Sequence, residues 1–139
     1  MSEATETSVV ATVLDVFHAA AAAADEKRYF ATLAPDAMFL GTAGGERWAG
    51  DDYRDFVHSY FSRGIGWTYA PSARSVEIAA DGQTAWFDEL LENKSYGVCR
   101  GTGVLQLRRG EWKIEQYNLT IPIPNELAGK IVAMIRKTE

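Results

Sequence analysis

Cysteine is almost missing from this chain. One Cys in 139 residues, Cys99, excludes an intramolecular disulfide, so nothing points to an oxidising compartment. Long apolar runs are also missing: none approaches the ~20 residues that span a membrane. The N-terminus, Met1-Ser-Glu-Ala-Thr-Glu-Thr-Ser8, has neither the basic start nor the apolar stretch of a secretion signal, which makes a cytoplasmic location the expectation. Basic charge is in deficit. Fourteen Lys and Arg face 19 Asp and Glu, a net charge of −5, which argues against a nucleic-acid or anionic-membrane partner. Histidines number only 2, His18 and His58, on different predicted helices. With no HxH pair or cysteine cluster, no metal site is expected, and the sequence calls for no cofactor. The glycine-rich stretch 41–50 lacks the Gly-Lys-Ser/Thr ending of a phosphate loop.

Aromatics, by contrast, are plentiful: 4 Trp, 6 Tyr and 6 Phe. They favour a large packed interior or a lined cavity. Apolar residues make up 47% and charged residues 24%, the balance of a globular domain. A chain of this length buries roughly 68–70% of its unfolded surface and needs no staples.

The pattern predicts residues 1–7 as a disordered tail and 8–139 as a single domain. Ser8 can cap a first helix with Val10, Val13, Leu14, Phe17, Ala21 and Ala24 along one face. Asp25 can cap a short second helix carrying Tyr29, Phe30 and Leu33, which Pro35-Asp36 stops. Ala37 to Leu40 and Arg47 to Ala49 are short strands. Asp51 or Asp52 can start a third helix with Tyr53, Phe56, Val57, Tyr60 and Phe61 inward, ended by Gly64 and Gly66. The period then changes to 2. Strands run near 67–80, 83–93, 98–108 and 111–121, with hairpin turns at Asp81-Gly82 and Arg109-Gly110. Pro122, Pro124 and Asn125 lead into an amphipathic helix with Leu127, Ile131, Met134 and Ile135. The order predicts an α+β fold, an antiparallel meander against helices.

Pairing assigns faces. A two-residue turn at Arg109-Gly110 pairs Leu107 with Trp112, Leu105 with Ile114, Gly103 with Gln116 and Gly101 with Asn118. That inner face begins apolar and becomes small and polar. Glycines in a strand leave space beside them, and space next to polar groups suits a ligand cavity. A four-residue loop from Lys94 to Gly97 pairs Asp88 with Gly103 and turns Trp86, Asp88 and Leu90 inward, with Glu89 outside near Arg100. A tight Asp81-Gly82 turn instead sets Phe87 beside Val76, on an apolar face with Ile78. Both hold if the outer face is covered too, by a second subunit lying on Phe87, Leu91, Val104, Tyr117, Leu119 and Ile121. Either way one carboxylate of the Asp88-Glu89 pair points inward, where burial raises its pKa toward acid/base use near neutrality. Asp88 is the candidate acid/base and Glu89 the fallback. Gln116 and Asn118 are the candidates for holding the reacting oxygen. The candidate walls are Phe17, Tyr29, Phe39, Trp48, Phe56, Tyr60, Trp86, Gly101 and Gly103. Cys99 reads as a buried structural thiol.

Several segments resemble one superfamily: Ala24-Asp-Glu-Lys-Arg-Tyr-Phe30, Pro35-Asp-Ala-Met-Phe39, Gly50-Asp-Asp-Tyr-Arg-Asp-Phe56 and Gly110-Glu-Trp-Lys-Ile114. Together with Trp86-Phe-Asp-Glu89, Arg100-Gly-Thr-Gly-Val104 and Ile121-Pro-Ile-Pro-Asn125, they look like the nuclear-transport-factor-2-like fold in its SnoaL-like and ketosteroid-isomerase-like branch. The likeness covers about residues 8–136. It implies a conical, strongly curved antiparallel sheet packed against N-terminal helices, a cystatin-like cone, with one C-terminal helix. It also implies an apolar cavity for a small, cyclic molecule, and a homodimer. The superfamily hosts isomerases, cyclases, dehydratases and non-enzymes, so a non-catalytic dimeric module that binds a ligand or a protein stays open. Ketosteroid isomerase uses a Tyr and a protonated Asp as oxyanion hole and an Asp as base. By the resemblance these positions fall on Phe17, Gly103 and Gly41, so classical ketosteroid isomerisation is not expected.

Overall fold

Three turns decide which side chains share a face. The computed structural model describes residues 3–138, and side chains from Thr5 onward. Its elements are α1 (Glu3–Ala22), α2 (Glu26–Ala31), β1 (Leu33–Leu40), β2 (Arg47–Ala49), α3 (Gly50–Phe61), β3 (Ala70–Ile78), β4 (Thr84–Asn93), β5 (Gly97–Arg108), β6 (Glu111–Thr120) and α4 (Asn125–Arg136). The strands form one six-stranded sheet in the order β2-β1-β6-β5-β4-β3. It is antiparallel except where β1 runs parallel to β6, a pairing the meander reading did not contain. The curved, unclosed sheet wraps α1, which packs on β3 and β6, while α3 lies against β1 and β2.

The Asp81-Gly82 turn matches its reading. Gly82 takes φ 72°, Gln83 N donates to Asp81 Oδ1 at 2.9 Å, and Val76 pairs with Phe87. The next turn does not. Asn93 Oδ1 accepts from Ser95 N at 2.9 Å and Tyr96 N at 2.8 Å, and Gly97 takes φ 74°. This Asx turn pairs Asn93 with Gly97, so the loop has one residue fewer than the Lys94–Gly97 reading. Phe87 therefore opposes Gly103, Glu89 opposes Gly101, and Asp88 opposes Thr102.

At Arg109-Gly110 both residues have positive φ, 51° and 80°, as a two-residue turn requires. The pairs Leu107–Trp112 and Leu105–Ile114 follow as expected. Then a β-bulge takes in Glu115 as an extra residue, and Val104 opposes Gln116. Beyond it Tyr117 and Leu119 point inward and Gln116 and Asn118 outward, the reverse of the sequence reading.

Phe87, Leu91, Tyr117 and Leu119 are thus core, not the outer patch assigned to them. They meet Val10, Leu14 and Phe17 of α1, and each such burial is worth roughly 1.5–3 kcal/mol. Residues 3–7, read as tail, are the first turns of α1, so Ser8 lies inside the helix and not at its start. Trp112 Nε1 donates to Glu6 Oε2 at 2.9 Å, which ties that end to the sheet. Residues 1 and 2 lie outside the described residues. Asp25 caps α2 as read, accepting from Arg28 N at 3.2 Å. None of α4's residues is buried.

Candidate functional site

The network in the cone begins with Glu89, which the β4–β5 register turns inward. It is 1% exposed and meets three donors. Arg74 Nε donates to Oε1 at 2.7 Å, while Tyr117 OH and His18 Nε2 each donate to Oε2 at 2.6 Å. Gly101 makes this possible. A Cβ there would stand 2.0 Å from the Tyr117 hydroxyl and 3.2 Å from Glu89 Oε2. A Cβ at Gly103 would sit 2.9 Å from the Phe87 ring and 2.0 Å from the Gln116 carbonyl. Both glycines face inward, but Tyr117 and Phe87 fill the space they leave.

Burial alone would raise the Glu89 pKa. The hydrogen bonds from His18, Tyr117 and Arg74 outweigh it and hold Glu89 below the usual carboxylate range. Glu89 is ionised and only accepts, so Nε2 of His18 carries the proton between them. Burial, then the charge of Glu89, pushes Tyr117 far above an ordinary phenol, so it stays a donor. Arg74 also bonds Asp15 Oδ1 at 2.7 Å and the Ala11 carbonyl at 3.1 Å, joining α1 to β3 and β4. Its Nη2 is buried without a partner.

A void adjoins the network at His18 and Tyr117, and a cleft adjoins the void. The void, of about 20 Å³, is lined by Phe17, His18, Ala21 and Tyr117, with Phe39, Trp67, Tyr69 and Leu119. The last four also line an open cleft of about 200 Å³, completed by Gly41, Thr42, Glu46, Tyr53, Phe56, Tyr60 and Tyr96. Gly66 lets the chain approach α1: its Cβ would stand 2.2 Å from the Ala21 carbonyl, to which Trp67 N donates at 3.1 Å. That contact sets Trp67 between void and cleft. A wider groove of about 420 Å³ runs outside, between α1, α2 and the Gly110 turn. Its charges are paired, Lys113 with Glu111 at 3.1 Å and Arg28 with Asp25 at 3.9 Å, and it does not touch the network.

The sequence-derived site is only partly assembled. Phe39, Phe56 and Tyr60 line the cleft, and Phe17 lines the void. Trp48 stacks behind Phe56 at 4.7 Å, and Tyr29 lies in the core, hydrogen-bonded to Tyr53. Asp88, exposed, stands on the outer face with Trp86, Gln116 and Asn118, because the Asx turn and the bulge each move the register by one. The fallback, Glu89, is the inward carboxylate, paired with Arg74 and not Arg100. His58 bonds Glu26 at 2.8 Å, away from the cone. Cys99 is a buried thiol whose pKa burial raises. Sequence reasoning missed His18, Arg74, Trp67, Tyr69, Tyr96 and Glu46. The slip in alternation at Ile114-Glu-Gln-Tyr117 marks the bulge and could have placed Tyr117.

The model of a SnoaL-like domain matches residues 10–124. The chain belongs to the SnoaL-like domain family. Solved structures agree on the fold. This SnoaL-like domain is similar to an NTF2-like protein of unknown function from Pseudomonas putida, at 18% identity and TM-score 0.73 over 91% of this chain and 92% of that one. It is similar to a candidate dehydratase of the NTF2-like family from Streptomyces avermitilis, at 11% identity and TM-score 0.75 over 88% and 100%. It is also similar to a ketosteroid isomerase-like protein from Erwinia carotovora atroseptica, at 19% identity and TM-score 0.63 over 86% and 98%. No curated protein matches the sequence significantly. Among the described residues, no helix is long and apolar enough to cross a membrane.

Proposed function

We propose that this SnoaL-like domain binds an apolar, cyclic small molecule in the aromatic cleft. His18, held by Glu89, acts on it as acid/base in an isomerisation, cyclisation or dehydration that needs no cofactor. The observation that carries the reading is the buried, ionised Glu89 bonded to His18 at 2.6 Å beside the void. With Nε2–H committed to Glu89, Nδ1 is the position that takes or returns a proton. Glu89 would stabilise the imidazolium formed, as an orienting carboxylate does in other histidine sites. Tyr117 shares the carboxylate and fixes its orientation. The names of the dehydratase and ketosteroid isomerase-like neighbours point the same way.

The void of about 20 Å³ has room for about one water, so a ligand in the cleft reaches His18 through a water or after the Trp67 side chain moves. The same narrowness favours a second reading, a module that binds its ligand without turnover. Proton exchange separates the two. Cyclic ketones that shift the Trp67 indole resonance are incubated in heavy water and followed for loss of the proton next to the carbonyl. Catalysed exchange is expected, slowed about 10²-fold or more in a folded His18→Gln variant. Unchanged exchange in that variant removes His18 from the chemistry. Binding without exchange leaves the module.

A further inference from the structure

We infer that the mouth of the cleft selects ligands bearing a quaternary or protonated amine, with Glu46 as counter-ion. The inference rests on the cleft being a ligand site, but not on any chemistry at His18.

Seven of the eleven lining residues are aromatic, only Leu119 is a large aliphatic, and no Lys, Arg or His is among them. An apolar ligand alone would be served as well by Leu and Val. Ring faces carry negative potential, and a cluster of them around one point is how proteins hold alkylated ammonium groups. Glu46, the one ionisable acid in the lining, is fixed over this mouth. Its Oε1 accepts from Ala43 N at 2.9 Å, and its carbonyl accepts from Gly41 N at 2.8 Å. Gly41 permits the fold-back, since a Cβ there would stand 2.9 Å from Glu46 Cβ and 3.0 Å from Oε2. A carboxylate at the rim of an apolar cleft costs desolvation when a neutral ligand covers it and repels an anion; a cation removes both penalties.

Nearby rings already accept cations from outside the cleft. The Arg63 guanidinium lies 5.2 Å over Tyr60 and that of Arg54 lies 4.7 Å over Phe30. Neither arginine lines the cleft, so among the described residues no cation lines the mouth beside Phe56, Trp67, Tyr69 and Tyr96. Burial first, with the charge of Glu46 among lesser causes, raises Tyr69 to about 12, so it stays a neutral phenol. Glu89 and its partners lie across the void from the cleft.

The test titrates the protein with choline and with its uncharged carbon isostere, in which a tert-butyl group replaces the trimethylammonium. The readout is the Trp67 indole resonance, assigned from a Trp67→Phe variant. Choline is expected to bind at least about fivefold more tightly than the isostere. Glu46→Gln should remove most of that preference by weakening choline and, with the desolvation cost gone, tightening the isostere. Isostere binding equal to or tighter than choline overturns the inference and leaves the cleft as an apolar site. Silence of the Trp67 signal toward both also overturns it. Cyclic ketones that still move the signal would then keep the cleft as a ligand site, and their silence would end both readings.

Discussion

Glu89 holds an ion pair that could not be left half-made. Replacing it by Gln removes the charge that faces Arg74, and breaking a buried pair by removing one partner costs about 3–5 kcal/mol. Urea unfolding of Glu89→Gln measures this. The pH dependence has a definite sign. The folded pKa lies below the ordinary value of a glutamate in the unfolded chain, so the unfolded chain binds the proton more tightly. The stability Glu89 contributes is complete above that value and drains as pH falls through the folded pKa. Melting temperature should therefore drop more steeply in wild type than in Glu89→Gln across that acid window. Gly101→Ala is a second residue-scale test. Its Cβ would run into the Tyr117 hydroxyl, and overpacking of this kind costs about 1–3 kcal/mol. In a double-mutant cycle with Tyr117→Phe, which removes that hydroxyl, the two costs should fall short of their sum. At this scale the sequence offered the right pair of carboxylates but not the choice between them. Asp88 and Glu89 are adjacent, alternate faces, and differ only through a register fixed elsewhere.

That register is set by turns and by a bulge. The two turns with a local signal, strong at Asp81-Gly82 and weaker at Arg109-Gly110, were legible because the positive φ each needs favours a glycine. The β4–β5 turn was not read correctly, because its geometry depends on the side chain of Asn93, the last residue of a strand. Asn93 also donates from Nδ2 to the Thr68 carbonyl at 3.0 Å, steadying the segment that carries Trp67 and Tyr69. Asn93→Ala should cost about 1.5–4.5 kcal/mol, from three hydrogen bonds of about 0.5–1.5 kcal/mol each. Urea denaturation checks it, and Asn93→Asp should keep the two turn bonds and lose only the third. Helix positions were legible to within a turn except at the start of α1, where residues 3–7 carry no apolar stripe and Glu6 is held by Trp112.

For the whole molecule, the order of elements followed from composition and period and the curvature from the family resemblance, whereas the covering of the outer face followed from neither. The two shifts exchange its members. Phe87, Leu91, Tyr117 and Leu119 go inside, and Trp86, 49% exposed, and half-buried Leu90 come out to join half-buried Val104 and Val98, 46% exposed. We propose that a second copy covers this face, since exposed apolar surface of this kind marks interfaces. Sedimentation should give twice 15.3 kDa, and Trp86→Glu should return the monomer mass without loss of helix or strand signal. A wild-type monomer at micromolar concentration contradicts the proposal. α4 is a separate matter. Because none of its residues is buried in the single chain, truncation after Pro124 should leave the thermal melt of a dilute monomer nearly unchanged.

The bulge at Glu115 also bears on what inheritance can do to this chain. A lost codon within a regular strand turns every later side chain to the opposite face. In β6 the extra residue stands between Ile114, which faces in, and Gln116, which faces out. A lineage that drops the Glu115 codon keeps Tyr117 and Leu119 inside and merely straightens the strand. A lineage that drops the Thr102 codon in β5, where no bulge waits, turns one end of that strand inside out.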